Sequence, residues 1–398
     1  MTGRERMQSL VAGEPVDRLP IQGVNGWGES ILRWLAEGLA AGSYSGRNVS
    51  APLGLMEPEG PVGLPLDLAM LPRFDVSVLK KDDEYVLFVD EFGVTRRLLR
   101  RDFDRSGGLM SEAGQTSSMS HWVDFPVKDL ASWKAIYEER FRPDVMSRLP
   151  KDWQSRRIRL AGQARTRWIG FGCFPFFGLF GPLRELMGLE GLVYAMADEP
   201  ATVHTMIEDL TDFWLSTFEQ VIGDEHGESD TFRSSADAGK IRLDQVMFFE
   251  DMCATKAPII GPATFRRFLT PGYRKVIGGL REMGVSLFLI DTDGNAWDII
   301  PEMLAAGING LIPCEVQAGM DAARLRETFP QLYIQGGIAK GAIARGGEEL
   351  REEMKRRFTT AWQKGRYAPR IDHGAPPDIP WANLQEYAKL FREWAAAR

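Results

Sequence analysis

An apolar run, Val285 to Ile290 (VSLFLI), ends in Asp291-Thr292-Asp293, so two carboxylates stand two positions apart at the close of a candidate strand. On an extended strand residues i and i+2 point to one face, and both carboxylates would enter the same space. Two ionised carboxylates this close repel each other. Either one takes a proton, or a divalent metal or a basic group sits between them. A simpler role competes, because Asp293-Gly294-Asn295 is also a good turn and N-cap sequence.

Other apolar runs end in the same way. Glu250-Asp251 follows VMFF, Glu315 and Gln317 follow LIPC, Gln335-Gly336-Gly337 follows LYI, and Asp372-His373 follows RYAPRI. Such groups are costly to bury unless they are paired, hydrogen-bonded or bound to a cation. The expected catalytic set is therefore Asp291, Asp293, Glu250 and Asp251. Asp291, Asp293, Asp372 and His373 form the expected metal set, for zinc or a harder divalent ion. Glu315 and Gln317 are expected to face the substrate, and Gly336 to let it approach the backbone. His121, in SSMSHWVDF, could reach the site from outside the barrel, while Arg165 and Lys240 could hold an anionic substrate. His204 and His226 read as surface residues.

The elements that would position these groups recur as strand-helix units. Val285–Ile290, Asn309–Pro313, Leu332–Gln335 and Arg366–Ile371 read as strands, each followed by a helix. Such spacing requires a parallel sheet. Upstream, Leu19–Val24, Ile158–Gly162, Arg167–Phe171 and Gln245–Phe249 offer further strands, Pro200–Val221 is an amphipathic helix, and Pro271 should kink the helix Pro262–Met283. The expected fold is α/β, a (β/α)8 TIM barrel whose active site lies at the C-terminal ends of its strands. Residues 1–24 would supply an N-terminal helix, with a Thr2/Glu5 capping box, and the first strand. Residues 25–155, with a probable hairpin at Glu84–Arg100, would form a cap or insertion, and 156–398 the rest of the barrel.

Bulk properties narrow the function. The 398 residues carry 48 basic and 55 acidic side chains, a net charge of -7, with no basic run that would track a phosphate backbone. Nucleic acid is a poor partner. Three scattered cysteines, Cys173, Cys253 and Cys314, form neither a disulfide framework nor a CxxC site, which fits a reducing compartment. The N-terminus lacks a signal-peptide core, and the most apolar window, Trp168 to Leu183, is interrupted by Gly and Pro; a cytoplasmic protein with no membrane span is expected. GxGxxG, Walker, GxSxG and HExxH motifs are absent.

Several blocks together resemble the uroporphyrinogen decarboxylase superfamily. They are RERMQSLVAGEPVDRLP, GPLRELMGLEGL, VMFFEDMCATKAPIIGPATFRRFLTPGYRKVI, DTDGNAWDIIPEMLAAGINGLIPCEVQAGMD and YAPRIDHGAPPDIPWANLQEY. The resemblance implies a barrel, often a homodimer, in a superfamily of decarboxylases and of methyltransferases that serve corrinoid proteins, thiols and small substrates. The decarboxylases carry Arg-Gln-Ala-Gly-Arg after the first strand to bind porphyrinogen carboxylates; here Ile21-Gln22-Gly23-Val24-Asn25-Gly26-Trp27 has no arginine. The methyltransferases hold zinc through His-x-Cys and a later Cys, at places that fall on Asp291-x-Asp293 and near Asp372-His373. Oxygen ligands in place of sulfur make a thiol methyl acceptor less suited. The expected function is methyl transfer from a small methoxylated substrate to a corrinoid protein or another acceptor. Decarboxylation of a non-porphyrin or porphyrin-like acid is the alternative, and a catalytically silent barrel that binds a tetrapyrrole or corrinoid is the third reading.

Overall fold

The computed structural model describes residues 1–57, 60–109, 120–141, 144–222 and 241–396. Lys240 and His226 lie outside the described residues. The strands, in chain order, are β1 (Val62–Gly63), β2 (Ser77–Lys81), β3 (Tyr85–Val89), β4 (Thr95–Leu99), β5 (His121–Asp124) and β6 (Ile169–Gly172). They continue with β7 (Gln245–Phe249), β8 (Leu287–Asp291), β9 (Gly310–Ile312), β10 (Tyr333–Ile338) and β11 (Tyr367–Ile371).

Seven of these make one curled sheet in the order β1-β6-β7-β8-β9-β10-β11, and every pairing in it is parallel. Helices connect consecutive strands, as parallel neighbours require. The closed eight-stranded barrel expected from the sequence is not completed by hydrogen bonding. Leu19–Val24, expected as its first strand, joins no ladder. Pro20 has no N–H to give, Leu19 donates instead to the Ala395 carbonyl (3.0 Å), and Val24 donates to Ser50 Oγ (2.9 Å). The short β1 pairs with β6. Residues 25–155 therefore contribute a strand to the main sheet as well as a separate antiparallel sheet, β2-β3-β4-β5. Its β3-β4 hairpin falls within Glu84–Arg100, with Val89 opposite Thr95. Around its turn, buried Asp90 accepts from the Phe92 and Val94 amides and pairs with Arg96.

Local chemistry explains most boundaries. Thr2 and Glu5 make the reciprocal capping box of Gly3–Ala12, and Gly13 ends that helix at φ 79°. The long helix before Met283 is interrupted by a π-helical stretch, Phe265–Leu269, immediately before Thr270–Glu282, because Pro271 cannot donate back one turn. Ile158–Gly162, expected as a strand, lies inside the helix Trp153–Gln163. The core is continuous from Leu10 to Ala395, and Trp34, Trp133, Trp153, Trp168 and Trp214 are all fully buried. Among the described residues no helix is long and apolar enough to cross a membrane.

Gly336 is a packing position. Its φ is 128°, and a Cβ there would stand 1.7 Å from the Pro313 carbonyl oxygen, which accepts from the Gly337 amide at 3.0 Å. Gly336→Ala should therefore lower the unfolding free energy by about 4 kcal/mol or more, read as a shifted urea midpoint. A change of under about 1 kcal/mol would show that the strand can move away from Pro313.

Candidate active site

The C-terminal ends of β7, β8 and β11 bring Asp251, Asp291, Asp293 and His373 together. β8 stops at Asp291, so Asp293 is not on the strand. It returns to the same place through the turn at Gly294 (φ 79°), whose backbone passes so near Ala254 that a Cβ would lie 2.6 Å from the Ala254 oxygen. Asp251 is folded back at φ 42°, an uncommon conformation for a non-glycine residue. Its amide and that of Glu250 both point at the Asp291 carbonyl, at 3.4 and 2.9 Å. Thr292 Oγ1 accepts from the Met252 amide (3.0 Å) and locks the two strand ends together. The cluster is thus held by backbone.

Its electrostatics follow from burial and crowding. Burial, then the charges of Asp251 and Asp293, push Asp291 up to about 7, against the pull of Arg370 and His373. Burial and Asp293 also raise Asp251, with Arg184 opposing. Arg184 reaches in from the helix Phe180–Met187, donating to the Asp251 carbonyl at 2.8 Å and lying 3.7 Å from its carboxylate. His373 Nε2 is 3.1 Å from Asp293 Oδ2, and that hydrogen bond raises the imidazole above its ordinary value. The indole of Trp27 meets the imidazole edge to face, with centroids 6.0 Å apart. The site therefore sets a carboxyl pushed up to about 7 beside Asp251, Asp293 and the His373 imidazole.

Glu250 is elsewhere. Its fully buried carboxylate accepts from the amides of Leu179 (2.6 Å), Phe180 (2.6 Å) and Gly181 (2.8 Å), and from the Tyr273 hydroxyl. It closes the N-terminus of the helix Phe180–Met187, where orphan amides and the helix dipole favour an anion. Burial nevertheless pushes it up to about 7. The Glu250 carboxylate is thus engaged by a helix N-terminus and a tyrosine, turned from the Asp291 group with which it was expected to act.

The expected metal set is also divided. Asp372 is buried and turned away, accepting from the Val316 amide through Oδ2 (3.0 Å) and the Lys340 amide through Oδ1 (3.1 Å). His373 is committed to Asp293. Among the described residues no group of three or more His, Cys, Asp or Glu is arranged to hold a metal ion. The four expected ligands are therefore not gathered in one place, because Asp372 is held by backbone amides away from Asp291, Asp293 and His373. The thiols are not substitutes, since burial pushes Cys173 up to about 11 and Cys253 to about 12, and raises Cys314.

The remaining expected contacts separate by position. Glu315 stands at the mouth, with Oε1 2.7 Å from Lys340 Nζ and Oε2 accepting from the Gly294 amide (3.2 Å). Gln317 is exposed nearby, on the turn Val316–Ala318. Neither Asp293 nor Asn295 caps the short helix Trp297–Ile299, whose N-cap is Ala296; Asn295 Oδ1 accepts from the Trp297 amide (3.1 Å) in the turn before it. His121 is exposed on the outer strand β5 of the antiparallel sheet. Arg165 follows the helix Trp153–Gln163 and precedes β6, placing it at the opposite, N-terminal end of the sheet. Sequence reading passed over Lys340, Arg184 and Arg370. Arg370 lies on β11, one residue before its end.

Two cavities flank this region. The larger, about 410 Å³, lies between the helix Leu189–Asp198 and residues 259–268; Arg267 is the one charged side chain lining it. The smaller, about 240 Å³, is enclosed by β7 to β11 on one side and by Gly3, Arg6, Met7, Pro20, Gln22, Glu57, Gly60 and Pro61 on the other. Leu289 lines it, and Asp291 follows two residues further along β8, on the same side of the strand.

The chain is similar in structure to a methyltransferase from Methanosarcina mazei, with 15% sequence identity over 99% of each chain and a TM-score of 0.55, a likeness of fold. No curated protein matches it. It is over residues 243–394, which carry the Asp251, Asp291, Asp293 and His373 cluster, that the chain matches the uroporphyrinogen decarboxylase (URO-D) family.

Proposed function

We propose that the protein is an enzyme that removes a methyl group from a small methoxylated substrate and passes it to an acceptor such as a corrinoid protein. The observation that supports this best is Asp291, a carboxyl group enclosed at a strand end beside Asp251 and Asp293. When an ether carbon-oxygen bond breaks, the electron pair goes to the oxygen, and an alcohol or phenol leaves far more readily if that oxygen receives a proton. Asp291 holds such a proton near neutral pH, and a positioned acid contributes about 10²–10⁴ in rate. A docked corrinoid protein would supply the nucleophile that takes the methyl group. Asp251, Asp293 and the His373 imidazole keep the acid poised, and Trp27 covers the imidazole.

Decarboxylation is the second reading, favoured by the description of the matching family. The same acid would then protonate the carbanion left by CO2. The cavity of about 240 Å³ bears on the substrate: about 150 Å³ accommodates benzene, so a tetrapyrrole is too large for it.

Incubating the protein with small methoxyaromatic acids and a chemically reduced corrinoid separates the two readings. Methyl transfer predicts the absorption change of corrinoid methylation together with the demethylated product. Release of CO2 with the methoxy group intact would replace methyl transfer by the second reading.

A further inference from the structure

Among the described residues, Arg370 is a charged side chain of the smaller cavity that makes no ion pair. Three charged side chains line that space, Arg6, Glu57 and Arg370. Arg6 is paired with Asp17 (2.7 Å) and lies 3.7 Å from Glu57, and Glu57 also accepts from Arg18 (2.7 Å). Among the described residues, the Arg370 guanidinium has no hydrogen bond and no carboxylate within ion-pair distance. Asp291 feels its charge from further away. A guanidinium enclosed by protein without a counterion is expensive.

The groups around it are suited to an anion. Gln245 accepts from the Trp168 indole through Oε1 (2.7 Å), and among the described residues its Nε2 has no acceptor. Gln22 accepts from Gln335 through its own Oε1 (3.1 Å), and among the described residues its Nε2 likewise has no acceptor. Both amides therefore retain donors on the cavity that Arg370 lines. The rest of the wall is apolar, from Met7, Met247, Leu289 and Ile312. Asp372, just past the end of β11, is held by two backbone amides and does not pair with Arg370.

We propose that this cavity binds a small monocarboxylic acid of about ten heavy atoms, its carboxylate on Arg370 with the Gln22 and Gln245 amides beside it, and its apolar body against Met247, Leu289 and Ile312. The inference rests on the reading of the adjoining cluster as an enzyme's site, because it makes the bound acid the substrate class. A guanidinium fork matches a carboxylate through two parallel hydrogen bonds. Such a pairing stabilises the ionised acid in its ground state and so opposes loss of that carboxylate as CO2. The chemistry is directed to another part of the molecule, the end presented to Asp291.

Calorimetric titration of the full chain with benzoate and with benzamide, isosteric but neutral, tests the site. Benzoate is expected to bind about tenfold or more tightly than benzamide. Arg370→Met should abolish that preference, Arg370→Lys should keep part of it, and Gln22→Leu should weaken benzoate several-fold. Equal binding of the two probes to the wild-type protein, which needs no variant to fold, overturns the proposal, as does unchanged benzoate affinity in a folded Arg370→Met. A benzoate preference without methyl transfer from methoxylated acids would remove the reaction and keep the site. Methyl transfer without the preference would remove the site and keep the reaction.

Discussion

Asp291→Asn is expected to lower kcat/KM by about 10²–10⁴ and, above neutral pH, to make the folded protein more stable. The two effects share one cause. Asparagine has the shape of aspartate but no transferable proton, so the leaving oxygen must depart as an anion. It also carries no charge to be repelled by Asp251 and Asp293. The pH dependence has a definite sign. The Asp291 carboxyl titrates at about 7 in the folded chain against 3.8 in the reference state, so between those values the folded protein keeps a proton that the unfolded chain has released. Folding is therefore favoured by Asp291 protonation at low pH, and this advantage is lost as pH rises towards 7. Above that, the ionised carboxylate destabilises the fold by at most roughly 4 kcal/mol, at 1.36 kcal/mol per unit. Urea unfolding should show the variant more stable at about pH 8 and little different below about pH 4. A variant less stable than wild type at about pH 8 would mean that Asp291 is held by contacts that favour its charged form.

Glu250→Ala should act in the opposite way, lowering stability by about 3–5 kcal/mol. The carboxylate satisfies three backbone amides and a tyrosine hydroxyl in a site closed to water. Its removal leaves these donors unpaired and opens a void, and each unpaired buried donor costs about 1–3 kcal/mol. Glu250→Gln is the informative companion, because the amide NH2 must face a backbone N–H and should cost nearly as much as removal. Denaturant midpoints give the stability, and turnover per folded molecule at low temperature gives the chemistry. A variant that unfolds early but turns over normally while folded is the expected result. Normal stability with lost turnover would restore Glu250 to the catalytic set.

The difference between Glu250 and Asp291 marks where sequence reading ended. Both follow an apolar strand and look alike in one dimension. What separates them is that residues 179–181, about seventy positions before Glu250, aim three amides at one carboxylate and none at the other. Nothing local announces a helix N-terminus arriving from that distance. Sequence reading placed strands at Gln245–Phe249 and Arg366–Ile371, and the structure has them at Gln245–Phe249 and Tyr367–Ile371. It misread Ile158–Gly162, where Ile158 and Leu160 alternate with Arg159 and Ala161, yet the surrounding residues form a helix that buries Trp153 and Leu160. The i, i+2 argument brought Asp291 and Asp293 together for an incomplete reason, since the strand stops at Asp291 and the turn at Gly294 does the rest. Asp372 and His373, adjacent in sequence, part company because only the histidine continues toward Asp293 while the aspartate is captured by the Val316 and Lys340 amides.

The proton on Asp291 is the feature from which the proposed chemistry follows, and it can be observed without knowing the substrate. Infrared difference spectroscopy between the wild-type protein and Asp291→Asn, from about pH 5 to about pH 9, isolates the stretching band of that protonated carboxyl. A band present at the acid end and titrating away near pH 7, absent from the variant, is the expected result. No such band above about pH 5 would mean that Asp291 is an ordinary ionised carboxylate, and would contradict its role as the proton donor.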